Sequence, residues 1–153
     1  MSYCENDKPL DAEQSLLLDN QICFPLYSAA NAVIRTYRPL LERLDLTYSQ
    51  YLVMMVLWES DGISVKDLGN RLHLDSGTLT PLLKRLEVKG FVARGRSDQD
   101  ERVRVLKLTE SGAMLKQQAQ LIPQQMKCKI PLEIDELLQL KQLCEKVLST
   151  LEE

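Results

Sequence analysis

Apolar positions recur along this chain with a period that changes twice. Cys23, Leu26, Tyr27, Ala30, Val33, Ile34 and Tyr37 follow one another at spacings of three and four, predicting a helix over about 18–38. Asp19 or Asn20 can cap its start, and Pro25 falls early, where a missing N–H costs least although a kink remains open. Pro39 is expected to end or bend it. Ahead of this helix, residues 1–14 are polar, contain Pro9 and show no period, which predicts a disordered tail. A second helix is expected over about 48–59. Leu52, Val53, Val56 and Leu57 form its buried face, Thr47 and Gln50 stand at capping-box spacing, and Asp61-Gly62 breaks it.

Two helices then follow in quick succession. Ser64 caps the first, with Asp67 at the box position and Val65, Leu68 and Leu72 facing inward. After a turn at His73-Leu74, Asp75 or Ser76 caps the second. Its apolar stripe is Leu79, Leu82, Leu83 and Leu86, and its other face carries Ser76, Thr78, Thr80, Lys84 and Arg85. Pro81 admits a local distortion, and Gly90 is the expected stop.

From Phe91 the period falls from 3.6 to 2. Residues 91–94 read as a strand, 95–101 as a polar loop and 102–108 as the returning strand, with Val103 and Val105 opposite Arg102 and Arg104. Leu106 interrupts the alternation and predicts a bulge or strand end. Thr109 caps a further helix reaching about Gln120 or just past Pro123. A last helix over about 132–151 carries a near-heptad seam of Leu137, Leu140, Cys144, Val147 and Leu151. The expected fold is mainly α with a small β-hairpin wing: a winged helix-turn-helix in an α-helical homodimer, with a single domain over 15–153. The helix-turn-helix occupies about 64–90 and the wing about 91–108. The dimerisation helices are expected at about 18–38 and 110–151.

Charge sharpens this picture. The net charge is −3, which argues mildly against a nucleic-acid partner for the chain as a whole. Between Lys84 and Lys107, however, eight basic residues meet four acidic ones, a net of +4, leaving −7 elsewhere. Screening limits the reach of charge to about 8–10 Å, so a local basic surface on an acidic body still attracts phosphates. The 44% hydrophobic and 27% charged composition is that of an ordinary globular protein. No apolar run approaches the ~18 residues of a membrane helix and no signal-peptide pattern opens the chain, so a cytoplasmic location is expected. The four cysteines, Cys4, Cys23, Cys128 and Cys144, form no C-x-x-C pair, and His73 is the sole histidine. A metal site therefore has no ligand set, and no cofactor is expected.

The second helix of a helix-turn-helix lies in the major groove, where hydroxyl and basic groups such as Ser76, Thr78, Thr80, Lys84 and Arg85 hydrogen-bond base edges. A following hairpin bearing Arg94, Arg96 and Arg102 can enter a minor groove, whose negative potential attracts arginine. The segment SGTLTPLLKRLEVKGFVARGRSDQDERVRVLKLTESG, Ser76–Gly112, resembles the recognition helix and wing of the multiple-antibiotic-resistance-regulator (MarR) family. The DER at 100–102 resembles that family's wing signature. The resemblance implies that Asp100 positions the loop through a salt bridge and that Arg102 reaches the minor groove. The stretch LDNQICFPLYSAANAVIRTYRPLLERLDLTYSQYLVMMVLWE, Leu18–Glu59, resembles the organic-hydroperoxide-resistance repressor subgroup. Beyond Gly112 the likeness holds only in outline.

Read from position alone, Cys23 is either a small buried hydrophobe or a reactive thiol. It sits in the first turns of a helix, where unpaired amides favour an anion, with Tyr27 four residues on and Tyr37 about four turns on. Tyr48 begins the next helix and can face back. The subgroup resemblance decides for a sensor: it implies that an organic hydroperoxide oxidises Cys23, that Tyr37 and Tyr48 hydrogen-bond its sulfur, and that oxidation releases DNA. In two-cysteine members of that subgroup a C-terminal cysteine resolves the sulfenic acid by a bridge between subunits. Cys128, flanked by Lys127 and Lys129, fits that part. Cys144 is expected in helix packing, Cys4 as incidental, and His73 as a turn residue. Trp58, Met54 and Met55 are expected in the core, or lining an apolar approach to Cys23.

The leading expectation is a peroxide-sensing repressor on double-stranded DNA with a palindromic operator, acting as a homodimer without membrane contact. A winged helix answering a small aromatic ligand, a thiol peroxidase, and a module used only for protein contacts are the alternatives.

Overall fold

The structure is a computed structural model that describes residues 12–152. Cys4 and residues 1–11 of the tail expected over 1–14 lie outside the described residues, whereas residues 12–14 of that stretch are helical rather than disordered. The chain divides into two compact units, Met1–Met114 and Leu115–Glu153.

In the first unit, a one-turn helix α1 (Ala12–Ser15) and a 3₁₀ turn at Leu18–Asn20 precede α2 (Cys23–Glu42). The helix expected from about residue 18 thus begins at Cys23, and neither Asp19 nor Asn20 caps it. Ile22 holds the capping position without a side-chain bond. Asn20 and Gln21 instead donate their amides to the carbonyls of Gln14 and Ser15, both at 2.7 Å, which fixes the preceding turn. Pro25 occupies the third helical position, where its missing N–H had no partner to lose. Pro39 does not end α2. The helix forfeits one backbone bond there, and the fully buried Leu41 anchors its last turn.

Helix α3 (Tyr48–Glu59) starts where Thr47 predicts. Thr47 Oγ1 accepts from the Gln50 amide at 3.3 Å, and Gln50 Oε1 accepts from the Thr47 amide at 3.1 Å. Helix α4 (Val65–Leu72) is capped by Ser64, whose hydroxyl oxygen accepts from the Asp67 amide at 3.0 Å. It exits through His73 at φ 54. Helix α5 (Ser76–Val88) is capped by Asp75 rather than Ser76: Asp75 Oδ1 accepts from the Thr78 amide at 2.8 Å. Pro81 is carried within it, and Gly90 at φ 76 turns the chain away.

Strands β2 (Val92–Arg96) and β3 (Arg104–Leu108) form the hairpin, and a strand the sequence pattern did not reveal, β1 (Ile63–Ser64), pairs on the other side of β3. Two residues are too few to show alternation. No bulge interrupts the pairing, which runs evenly from Val92 opposite Leu108 to Arg96 opposite Arg104. Val105 and Leu106 point to opposite faces and both are buried, so β3 is covered on both sides there. Arg102 and Val103 precede the strand, in a turn closed by the Val103 amide on the Asp100 carbonyl at 3.0 Å. The core beneath comprises Leu41, Val53, Met54, Leu57, Leu68, Leu79, Leu83, Leu86, Val92 and Leu106.

Helix α6 (Glu110–Ala119) begins beside this sheet, with Thr109 Oγ1 accepting from the Gly112 amide at 3.1 Å. A Cβ on Gly112 would lie 2.0 Å from the Phe91 carbonyl oxygen. Gly112→Ala is therefore expected to destabilise the protein by roughly 1–3 kcal/mol, the usual cost of overpacking. Urea denaturation checks this, and an unchanged midpoint would contradict the contact.

In the second unit, α6 stops at Ala119, short of Pro123. A separate α7 (Ile122–Lys127) and α8 (Ile134–Leu151) follow. Glu133 and Glu136 form a capping box at the start of α8. None of the described α8 residues is buried. Leu138, Leu140, Leu143, Val147, Leu148 and Leu151 are exposed, and Leu137 and Cys144 are half-buried.

Candidate nucleic-acid interface and thiol site

Helix α5 buries its leucines and leaves Ser76, Thr78, Thr80, Lys84 and Arg85 exposed, the face expected to carry polar recognition. The Thr78 amide donating to Asp75 holds that carboxyl below its usual range, so the cap carries its charge at neutral pH. The Thr78 hydroxyl also reaches Asp75, at 3.3 Å, so it is engaged locally.

The wing arginines divide into two kinds. Arg96 and Arg102 are exposed. Arg94, expected to face a groove, is paired with Glu87 through its Nε at 2.9 Å and a terminal nitrogen at 2.8 Å, bracing β2 against α5. Asp100 does hold the loop, but through the Arg102 backbone: Oδ1 accepts from that amide at 2.9 Å. Lys107 lies 3.6 Å from Asp98 across the hairpin. The structure thus unites α5, its brace and the wing in one surface. Ser76, Thr78, Thr80, Lys84, Arg85, Arg96, Arg102 and Arg104 stand exposed on these elements, the basic ones without an ion pair among the described residues.

The thiol and the tyrosines separate within one chain. Cys23 is the first residue of α2 and is exposed, as is Tyr27 one turn later. Tyr37 lies fourteen residues on, roughly 21 Å along the helix at 1.5 Å per residue, so the shared helical face does not bring it to the sulfur. Tyr37 instead meets Tyr48, ring centroids 4.8 Å apart, and Tyr51 at 5.9 Å. Tyr51 escaped the sequence reading, although its place three residues after Tyr48 puts both on one helical face.

Burial pushes the Tyr51 phenol up to about 12, with Tyr37 and Tyr48 beside it adding to the rise. Burial also raises Tyr48. It raises Tyr37 too, with Tyr48 contributing. All three are neutral donors at physiological pH. Folded Tyr51 keeps its proton between the ordinary value near 10 and about 12, while the unfolded chain releases it. Stability should therefore fall as pH climbs through that window. Denaturation midpoints from pH 9 to 12 should decline less steeply in Tyr51→Phe than in the wild type, and equal declines would contradict the assignment.

Beside this cluster a cavity of about 370 Å³ is lined by Ile34, Arg38, Glu42, Asp45, Leu46, Thr47, Tyr48 and Lys89. Lys89, at the end of α5, donates to the Asp45 carbonyl, to Asp45 Oδ1 at 3.1 Å and to Gln50 Oε1 at 3.2 Å. Asp45 stands in the left-handed region at φ 53, and Gln50 is the one buried polar residue described. One cation thus fastens the end of α5 to the α2–α3 turn.

Residues 35–119 match the family model described as transcriptional regulator SarA/Rot. A relative from Bacillus subtilis, the organic hydroperoxide resistance transcriptional regulator, is 50% identical over 106 residues, 69% of this chain and 72% of that protein. Among solved structures, reduced AbfR bound to DNA is 35% identical with a TM-score of 0.73, over 88% of this chain and 92% of that one. Disulfide-formed AbfR is 34% identical with a TM-score of 0.64, over 89% and 93%. AbfR is a protein of Staphylococcus epidermidis. The chain belongs to the MarR family of winged-helix transcriptional regulators.

The family match covers the helix-turn-helix and wing of this regulator but neither Cys23 nor Cys128. Cys128 follows α7 as its capping residue, exposed between Lys127 and Lys129. Trp58 is half-buried rather than deep in the core, and Met55 is exposed while Met54 is fully buried. No His, Cys, Asp or Glu group suited to a metal ion occurs among the described residues. No described helix is long and apolar enough to cross a membrane.

Proposed function

We propose that this regulator is an organic-peroxide-sensing repressor, a cytoplasmic homodimer that holds a palindromic duplex when reduced and releases it when Cys23 is oxidised. The observation that carries the reading is an exposed thiol at the first position of α2, in a chain whose α5 and wing present hydroxyls and arginines. The name of the Bacillus relative and the reduced, DNA-bound and disulfide states of AbfR support it. In this reading Ser76, Thr78, Thr80, Lys84 and Arg85 face the major groove. Arg96 and Arg102 reach the flanking minor groove, with Asp100 setting the loop. Arg94 acts mainly as the brace on Glu87.

Dimerisation follows from surface that a single chain leaves open. Leu16, Ile22, Phe24 and Leu26 near the start of α2, and Leu138, Leu140, Leu143, Leu148 and Leu151 of α8, are exposed. A second copy is the partner whose apolar faces match them by symmetry. In the dimer, Tyr37 and Tyr48 of the other copy reach Cys23 across the interface, while Tyr27 supports the sulfur from one turn along the same helix.

The chemistry needs no cofactor. The Cys23 thiolate attacks the outer peroxide oxygen and the O–O bond breaks, leaving a cysteine sulfenic acid and an alkoxide that takes a proton from water to depart as the alcohol. A second thiol, assigned here to Cys128 of the other subunit, then displaces water and closes a disulfide. Bridged Cα atoms must come within about 4.4–6.8 Å, so closure moves the recognition helices off their half-sites.

Selection from random duplexes by the reduced protein tests the reading. Two-fold symmetric half-sites about one helical turn apart are expected, and the absence of symmetric enrichment would contradict it. On non-reducing gels the oxidised wild type should run as a covalent dimer and Cys128→Ser should not. A dimer that persists in Cys128→Ser but vanishes in Cys144→Ser would reassign the resolving thiol.

A further inference from the structure

Trp58 is the only tryptophan of the chain, and it stands at the end of a continuous aromatic contact. The ring of Tyr48 meets Tyr37 at 4.8 Å, Tyr37 meets Tyr51 at 5.9 Å, and Tyr51 meets the Trp58 indole edge-on at 6.3 Å. The indole Nε1–H then leaves the cluster and donates to the Gly112 carbonyl at 2.9 Å, across 54 positions of sequence. Gly112 has no slack on its other side, since even a Cβ there would strike the Phe91 carbonyl oxygen. One turn earlier, the Thr109 amide donates to that same Phe91 carbonyl at 3.1 Å, and the Thr109 hydroxyl donates to the Gly90 carbonyl. Gly90 ends α5, and Phe91 leads into β2.

We propose that Trp58 is a positioning residue that carries a change at the Tyr37–Tyr48 pair to the junction of the recognition helix and the wing. The proposal rests on the redox reading above and names the path by which that reading reaches DNA. Three features make the path mechanical. Tyr51, its middle member, is almost wholly buried and cannot move without moving its neighbours. The indole hydrogen bond is directional, so a tilt of the ring pulls on one carbonyl rather than dissipating in packing. That carbonyl belongs to Gly112, whose backbone runs so close to the Phe91 carbonyl that a Cβ would not fit between them, so its displacement shifts Phe91 and, through Thr109, Gly90. A small shift at the tyrosines thereby becomes a change in how α5 and the hairpin are presented together.

Trp58→Phe keeps a ring against Tyr51 and removes the donor to Gly112. With Cys23 oxidised by cumene hydroperoxide and its oxidation followed by mass spectrometry, the variant should oxidise at the wild-type rate. Reduced, it should bind the selected duplex within about threefold of wild type, because the bond it loses goes to the Gly112 backbone and not to a residue of the proposed DNA-facing set. Its loss of affinity on oxidation should shrink by roughly tenfold, the scale of an ordinary coupling between sites. The wild type supplies a second readout that needs no variant: its Trp58 emission should change on oxidation, and Cys23→Ser should show no change. A Trp58→Phe protein that releases DNA as fully as wild type overturns the proposal. So does wild-type emission that stays fixed while DNA is released. If oxidised wild type keeps its DNA, the redox reading itself fails and the relay falls with it.

Discussion

Arg102→Ala is expected to weaken binding to the selected duplex by roughly 10–100-fold at physiological salt, and to lower the salt slope of log K by about one. The side chain is exposed at the wing turn, and the turn does not depend on it. Asp100 holds position 102 through the backbone amide, and the Val103 amide closes the loop on the Asp100 carbonyl, both untouched by the substitution. The urea midpoint should therefore stay at the wild-type value while affinity drops. Arg94→Ala should behave differently. It removes the brace on Glu87, and a pair whose side chains keep 34% and 38% of their surface in water contributes at most about 1 kcal/mol to stability. Its effect on binding should come through wing placement and leave the salt slope nearly unchanged. Fluorescence anisotropy at two salt concentrations separates the cases. Equal affinity for Arg102→Ala and wild type at both would show that the wing does not touch the duplex.

Cys23→Ser should keep its affinity for DNA within about twofold and lose the response to peroxide. Serine is close to cysteine in size, and position 23 is exposed, so the substitution disturbs no core. The hydroxyl does not enter the sulfur oxidation ladder, so the organic peroxide concentration needed for release should rise by roughly 100-fold or more. Unchanged release in Cys23→Ser would move the sensor elsewhere, with Cys128 and Cys144 the remaining described thiols.

The parts of this molecule legible in the sequence are those fixed by local rules. The Thr47–Gln50 box, the Ser64 cap and the Leu79–Leu83–Leu86 stripe each follow from side chains acting within one or two turns, and each stands where the pattern puts it. Elements decided by distant packing were hidden. Pro39 reads as a helix end because its own turn loses a bond, yet the burial of Leu41 carries α2 to Glu42. Leu106 reads as a bulge because alternation assumes one open face, whereas the fold buries both Val105 and Leu106. The site divides in the same way. The polar face of α5 is a local periodicity and was legible, whereas the Arg94–Glu87 brace, the Lys89 clamp and the Tyr51–Trp58 contact join residues by the fold alone. Helical phase aligned Cys23 with Tyr37, and the rise per residue, which phase ignores, kept them apart.

In the proposed function, oxidation of this protein, rather than a ligand, sets its hold on DNA. The direct measurement is one anisotropy titration of the selected duplex with wild-type protein in three states: reduced, treated with one equivalent of cumene hydroperoxide per thiol, and then re-reduced with dithiothreitol. The account predicts tight binding, a loss of at least roughly tenfold, and full recovery. Binding that is the same in all three states would contradict it.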